Sequence, residues 1–251
     1  MVNRVSWSRL LLCGALVPVM LLLWPRMSGR VSSLLAVQPL PKTYSIRILS
    51  YDPLIIYVVG FLSWAERNHL LRLGEPLFKR STVYVDGQDI LEETRTSSTA
   101  YLPDDDPIVQ RIKKRASEIQ GYTPSNMHES LQLTRYSTGQ LFTPHLDPLE
   151  DYLNGTATHR LTTIFAIIEA TCEDCGTQFP NLNINWTAED PTWCSYVDCK
   201  NHNALTVKAV AGNALFWKSW DNNGVLDRRT THAGMPPEGG VKTGLNIWTN
   251  G

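Results

Sequence analysis

Apolar positions along the chain change their spacing near residue 130, from a helical front to a strand-rich back. Leu70, Leu71, Leu73 and Leu77 recur at helical spacing within 64–77, and Ser63 is a favoured N-cap residue, so a helix is predicted there. A second helix is predicted over 106–118, where Ile108, Val109, Ile112 and Ala116 share one stripe. The uninterrupted apolar run 54–62 is too short to cross a membrane and reads as a buried strand. Residues 84–101 are polar with no sustained period, which fits either a lid over a substrate or a plain connecting loop.

Beyond Ser130 the strand signals dominate, at 131–136, 160–170, 204–210, 214–217 and 244–248, bounded by Gly, Pro and Asn turns. Such a succession predicts a mainly β fold, a double-stranded jelly roll with flanking helices. Residues 181–203 are rich in Asn, Asp, Trp and Thr without a clean period, and are expected to form a surface loop near the rim of the site.

The N-terminus differs in kind. Residues 10–24 carry no charge and follow Arg4 and Arg9, the layout of a membrane-targeting segment. Fifteen residues fall short of the roughly twenty a span needs, although Trp7 and the residues after Trp24 can extend the run. Arg26 and Arg30 follow directly and no Ala-x-Ala cleavage site is visible, which favours a retained type II signal anchor over a cleaved leader. The expected division is an anchor over 1–24, a flexible linker over 25–44 and one folded domain over 45–251. With a formal net charge of −1 and no basic stripe, the chain has no footprint for nucleic acid. The short cluster 111–115 reads as a solvated helix face.

Chemistry enters with His145-Leu146-Asp147, followed 85 residues after Asp147 by His232 and ten residues later by Lys242. On an extended segment, residues two apart share a face, so His145 and Asp147 can bind one ion, with His232 arriving from an adjacent strand. Two imidazoles and a carboxylate can hold Fe(II) on one side and leave the other side open to a substrate and dioxygen. Lys242, a compact cation, suits one end of a dicarboxylate whose other end chelates the metal.

Further blocks accompany these residues in order. They include Gly60-Phe-Leu-Ser63, Arg95-Thr-Ser97, Glu129-Ser-Leu-Gln132, Arg135-Tyr136, Arg160 with Thr163, Gly176-Thr-Gln-Phe-Pro180, Gly212-Asn-Ala-Leu-Phe-Trp217 and Asn246-Ile-Trp248. The set, spanning about Ser45 to Thr249, resembles the prolyl 4-hydroxylase alpha-subunit-like branch of the iron- and 2-oxoglutarate-dependent dioxygenases. The resemblance implies the same jelly-roll fold, Fe(II) on His145, Asp147 and His232, and 2-oxoglutarate held by Lys242 with the hydroxyls of Thr177 and Tyr136. It implies hydroxylation of a peptidyl proline coupled to oxidative decarboxylation of 2-oxoglutarate to succinate, with O2 as cosubstrate and L-ascorbate as an expected requirement. Arg160 and Trp248 become candidates for holding the proline-containing peptide, beside ordinary core packing for Trp248. Two departures stand out: Ile167 where the family often has Tyr, and Asp174-Cys175-Gly176-Thr177 in place of the usual Gly-Gly-Glu-Thr. A hydroxylase of another side chain such as lysine remains a competing reading. So does a non-catalytic lumenal peptide-binding protein on the same fold, though a binding module has no need of an intact iron face. A partner subunit is left open.

Two features agree with a lumenal domain. Asn154-Gly-Thr156 and Asn185-Trp-Thr187 are N-glycosylation sequons. Cys172, Cys175, Cys194 and Cys199 lie within 28 residues, so two disulfides are expected, in any of three pairings, stapling an insertion; a structural zinc site is the alternative. The expected location is the endoplasmic reticulum membrane, single-pass type II, with the catalytic domain in the lumen.

Overall fold

Along the strand Arg160–Ala170, Ile164, Ala166 and Ile168 enter one apolar cluster while Phe165 and Ile167 enter another. A strand that is apolar on both faces has to be covered on both, and the rest of the fold supplies the two covers. The computed structural model describes residues 44–85, 88–147 and 159–251, which lie in the compact unit Thr43–Gly251.

The elements run β1 (Ser45–Tyr51), β2 (Leu54–Val59), α1 (Trp64–Gly74), β3 (Lys79–Arg80), β4 (Val83–Val85), β5 (Gln88–Ile90), β6 (Ser98–Tyr101) and α2 (Pro107–Ile119). They continue with β7 (Gln132–Ser137), β8 (Phe142–His145), β9 (Arg160–Ala170), β10 (Thr177–Phe179), β11 (Leu205–Val207), β12 (Ala214–Lys218), β13 (His232–Gly234) and β14 (Val241–Asn250). The larger sheet has eight strands in the order β1-β2-β12-β9-β14-β7-β6-β3, and the smaller has four, β11-β10-β13-β8. This is the expected jelly roll with flanking helices.

Both helices cover the larger sheet. Leu70 of α1 and Val109, Ile112 and Ala116 of α2 pack against Leu133, Ile164, Ala166, Leu245 and Ile247 in the first cluster. The side chains Leu70, Val109 and Ile112 are fully buried, and each large aliphatic among them contributes about 1.5–3 kcal/mol. In the second cluster Ile55, Tyr57, Phe165, Leu215 and Trp217 of the larger sheet meet Phe179, Leu205 and Val207 of the smaller one.

Local signals set the helix ends. Ser63 caps α1 through a reciprocal box: its hydroxyl accepts from Glu66 N at 3.3 Å and Glu66 Oε2 accepts from Ser63 N at 2.9 Å. Asp106 Oδ1 accepts from the Ile108 and Val109 amides at 2.8 and 3.1 Å. The α-helix stops at Gly74 rather than Leu77, and a 3-10 turn Glu75–Leu77 follows, because Pro76 lacks the N–H that would continue the ladder. Arg115, expected on a solvated face, is instead 4% exposed and donates to Glu66 Oε1 at 2.5 Å, joining the two helices. Arg111 and Lys114 do face solvent.

Several expectations need revision. Residues 84–101 are not structureless: β4 and β5 pair as a hairpin and β6 joins the larger sheet beside β7. Three-residue strands are too short to display a period. The last strand begins at Val241 rather than 244, since Val241, Lys242 and Thr243 pair with Ser137, Tyr136 and Arg135 and sequence polarity does not break the ladder. The expected strand 204–210 contracts to Leu205–Val207. The segment 181–203 is more than a surface loop, for it buries Trp186 and Val197 in the second cluster. The four cysteines form two local disulfides, Cys172–Cys175 and Cys194–Cys199, which excludes a zinc site on them. The second lies inside the insertion; the first closes the turn between β9 and β10 instead of stapling it. Among the described residues no helix is long and apolar enough to cross a membrane; the anchor expected over 1–24, residues 25–43 of the linker and Asn154 fall outside them.

His128 gives the fold a titration signature. It is buried, hydrogen-bonded through Nε2 to Ser117 Oγ (2.9 Å) and through Nδ1 to Thr249 Oγ1 (3.0 Å). Burial, reinforced by Lys113, pushes its pKa down to about 4. The folded state therefore favours the neutral ring: its contribution is complete above the unfolded pKa of about 6.5 and is lost as pH falls toward 4. In urea titrations across that window, wild type should lose on the order of 3 kcal/mol more stability than His128→Gln; parallel pH profiles would contradict the assignment.

Candidate metal and cosubstrate site

The smaller sheet brings the two histidines together. His145 ends β8 and His232 begins β13, directly opposite in antiparallel register, with ring centroids 4.3 Å apart. Asp147 lies just past β8, and the ligand atoms of the three residues all fall within 4.8 Å of one another. His145 Nδ1 is 2.8 Å from Thr143 O and His232 Nδ1 is 3.1 Å from Thr230 O. Donation to these carbonyls places the proton on Nδ1 of both rings and turns each Nε2 lone pair toward the cluster, the arrangement expected of metal-binding imidazoles.

Electrostatics agree. Burial, with His232 adding to it, pushes the His145 pKa down to about 3, so the ring is neutral near pH 7. Burial alone would raise the Asp147 carboxyl, but His232, His145, Arg160 and the Thr163 hydroxyl outweigh it and hold the group below its ordinary value. Aromatic rings enclose the pair: Phe142 stacks on His145 at 3.5 Å, and Trp217 lies 4.6 Å from His232. The donor set therefore fits a divalent transition metal with one face open.

Asp147 is clamped from the larger sheet. Thr163 Oγ1 donates to Oδ2 at 2.6 Å, and Trp248 Nε1 donates to Oδ1 at 3.0 Å. Thr163 and Trp248 are cross-strand partners on β9 and β14, so both donors leave one face side by side. Arg160 lies 3.7 Å over the Trp248 ring, donates to Asp147 O at 3.1 Å and forms a bidentate pair with Glu129 at 2.7 and 2.8 Å. The two residues read as peptide contacts thus both also hydrogen-bond to the metal-ligand Asp147. Glu129 and Thr163, which entered the sequence reading only as parts of the pattern, complete this clamp; Thr163, directly before the apolar run 164–168, follows another threonine and carries no separate signal of its role.

Lys242, Tyr136 and Thr177 meet on the other side. Lys242 is fully buried, with Nζ donating to Gly176 O at 3.0 Å and Met235 O at 3.2 Å and lying 4.6 Å from the Tyr136 ring centre. Among the described residues no carboxylate pairs with it, and burial lowers its pKa to about 7. Thr177 is paired across the ladder with Gly234. A side chain at 234 would place Cβ 2.9 Å from the Tyr136 hydroxyl, so glycine is what admits that ring. His232 is two residues away on the same strand, about 7 Å by strand rise. Ile167 lines a cavity beside Thr177 together with Tyr57, Phe165 and Asn213.

A probable prolyl 4-hydroxylase of Arabidopsis thaliana is 31% identical to this chain over 206 residues, covering 80% of this chain and 70% of its own length. The chain belongs to the prolyl 4-hydroxylase family. A second probable Arabidopsis prolyl 4-hydroxylase is 28% identical over 207 residues, covering 81% of this chain and 71% of that protein. Among solved structures, the viral collagen prolyl hydroxylase of Paramecium Bursaria Chlorella virus-1, in its 2OG complex, superposes with a TM-score of 0.53 at 22% identity, over 77% of this chain and 94% of that one. A Trichoplax adhaerens prolyl hydroxylase bound to a hypoxia inducible factor peptide gives 0.50 at 14% identity, over 90% and 92%, respectively. At those identities the superpositions establish the fold. No family model matches the chain.

If Trp248 holds Asp147 for this family's metal, Trp248→Phe should keep the ring under Arg160 yet weaken metal binding about tenfold, read by Mn(II) titration. Unchanged affinity would leave Trp248 a packing residue.

Proposed function

We propose that the protein hydroxylates proline in a peptide, using Fe(II), O2 and 2-oxoglutarate. The observation that carries this reading is the buried Lys242, which no carboxylate among the described residues pairs with, set opposite Tyr136 on the larger sheet and against Gly176 and Met235, which flank Thr177 and the His232 strand on the smaller one. A buried cation satisfied only by two carbonyls is poised for an anion.

His145, Asp147 and His232 hold the iron, through Nε2 of each ring and a carboxylate already oriented by Thr163 and Trp248. Bound there, iron supplies the activation of O2 that couples decarboxylation of 2-oxoglutarate to succinate and CO2 with oxygen insertion into a C–H bond. Lys242 pairs with the distal carboxylate of 2-oxoglutarate, whose charge raises the lysine back from about 7 and keeps it protonated. The hydroxyls of Tyr136 and Thr177 share that carboxylate. Phe142, Phe179 and Trp217 exclude water around the histidines. Arg160 and Trp248 meet the peptide as one stacked unit whose rigidity comes from Glu129. L-ascorbate is the expected reductant.

The domain resides in the lumen of the endoplasmic reticulum, tethered by residues 10–24 as a type II anchor and joined through a linker to the domain beginning near 45. In support, two disulfides form within the domain, and Asn185 is exposed with its Oδ1 accepting from the Thr187 hydroxyl at 2.6 Å. Chain made in secretory cells should lose mass on treatment with a peptide N-glycosidase, and Asn185→Gln should remove part of that loss. A resistant, unglycosylated chain would count against the lumenal placement.

Activity is tested with purified chain, Fe(II), 2-oxoglutarate and proline-rich peptides, following succinate and peptide mass. Hydroxylated proline is expected, with turnover reduced at least about a hundredfold in His145→Ala and Lys242→Ala. Hydroxylation on lysine instead would retain the oxygenase and replace the substrate; no metal-dependent succinate would leave the non-catalytic reading.

A further inference from the structure

The turn between β9 and β10 holds one of the two places where this chain leaves the pattern it resembles, and the change introduces Cys175 immediately before Gly176. Gly176 O accepts from both Lys242 Nζ and Met235 N, at 3.0 and 3.1 Å. With Met235 O, at 3.2 Å, it is thus one of the two carbonyls that locate the lysine before any ligand arrives. At the other end of the turn, Thr171 N donates to Val241 O at 2.9 Å and Thr171 Oγ1 accepts from Val241 N at 3.0 Å. Cys172 Sγ lies 3.6 Å from Val241 O. Val241 directly precedes Lys242, so each end of the turn is fixed to neighbouring residues of β14, and the Cys172–Cys175 disulfide joins the two ends.

We propose that Cys172 and Cys175 are positioning residues for the 2-oxoglutarate pocket, so that opening their disulfide weakens cosubstrate binding while leaving the metal and peptide sites in place. This rests on the reading of Lys242 as the partner of the 2-oxoglutarate carboxylate. Cys175 is 2% exposed, whereas Cys172 is half-buried and flanked by exposed Thr171 and Glu173. An approaching reductant therefore meets Cys172 first. Asp174, between them, has a φ of 52°, in the left-handed region that is uncommon outside glycine although Asp tolerates it. With the bond open, that residue can relax to ordinary backbone and carry Cys175 and Gly176 with it.

The chemistry balances with a dithiol as the reductant. One thiolate attacks a disulfide sulfur, a mixed disulfide forms, and the second thiol releases the reductant as its own cyclic disulfide. Two electrons and two protons pass to Cys172 and Cys175, leaving two thiols. No atom of 2-oxoglutarate or metal takes part, so the effect is one of placement alone.

The experiment is calorimetric titration of the Mn(II)-loaded full chain with 2-oxoglutarate, without O2. Wild type is compared oxidised and after dithiothreitol treatment, with the reagent removed before metal loading and thiols counted by alkylation and mass spectrometry. Cys172→Ser/Cys175→Ser and Cys194→Ser/Cys199→Ser are run beside it. Reduced wild type and the first double variant should bind 2-oxoglutarate about fivefold more weakly, the effect of misplacing one hydrogen-bonded carbonyl, with Mn(II) affinity unchanged. The second double variant should match oxidised wild type and lose affinity only on reduction, which isolates the Cys172–Cys175 bond even if the first variant fails to fold. Equal affinity before and after reduction overturns the proposal, as does an equal loss in oxidised Cys194→Ser/Cys199→Ser. Absence of 2-oxoglutarate binding by oxidised wild type overturns both the proposal and the reading of Lys242.

Discussion

The antiparallel ladder between β9 and β14 ties the two halves of the site together. It runs from Lys242 opposite Ala170 to Asn250 opposite Arg160. Leu245 and Ile247 of β14 turn into the core beneath the helices. By strand alternation Lys242, Gly244, Asn246 and Trp248 then share the opposite face, toward the smaller sheet. One strand therefore carries both the cation near one end and the indole that holds Asp147 near the other. Gly244 is part of the same constraint, since a Cβ there would fall 2.1 Å from the Phe165 ring that fills the space between the sheets.

That face is polar inside a hydrophobic sandwich, and it is tolerable because its groups are paired. Asn246 Nδ2 donates to Gln132 Oε1 and Thr134 Oγ1 at 3.0 Å each, and Gln132 Oε1 also accepts from Arg95 at 3.2 Å. Arg95 in turn lies 4.8 Å from the Phe142 ring centre, and Phe142 stacks on His145. The chain of contacts runs from the middle of β14 through β7 to a metal-site histidine. Leaving any one of these buried donors unpaired costs about 1–3 kcal/mol, which makes the orientation of the site inseparable from the stability of the sheet. Asp147 shows the same coupling: three donors hold its side chain and backbone in place ahead of any ion.

Much of this was legible in residue order. Periodicity located both helices, and N-cap preference located the cap of the first at Ser63, because amphipathic spacing and N-cap chemistry are local; that Asp106 caps the second came from the structure. The run 160–170 coincides with β9, whose length and continuous apolar character follow from burial on both faces. That His145 lies on an extended segment with His232 on a neighbouring strand follows from the ligand spacing and is what the structure has, but the bounds of the smaller sheet's strands were not legible. β8, β10 and β13 have four, three and three residues, and strands that short are held by their neighbours' hydrogen bonds rather than by any pattern of their own. Arg115 was misplaced for a related reason: a basic cluster looks solvated until a distant Glu66 supplies its partner. The clamp on Asp147 was invisible too, since it depends on the register that sets Thr163 beside Trp248, 85 residues apart in sequence.

The short strands also explain how one scaffold can hold metal and cosubstrate groups so close. β13 offers only His232, Ala233 and Gly234, and the two that share a face serve two purposes: an imidazole toward Asp147 and an absence of side chain that admits Tyr136, while Ala233 alternates to the other face. Pairing on both edges, to β8 through His145 and to β10 through Thr177, fixes the position of each. A longer or freer strand could slip in register, and a slip of one residue would turn His232 away from the cluster and place Ala233 against it. Register on β13 is therefore the condition under which the metal-binding triad and the Lys242 pocket exist together.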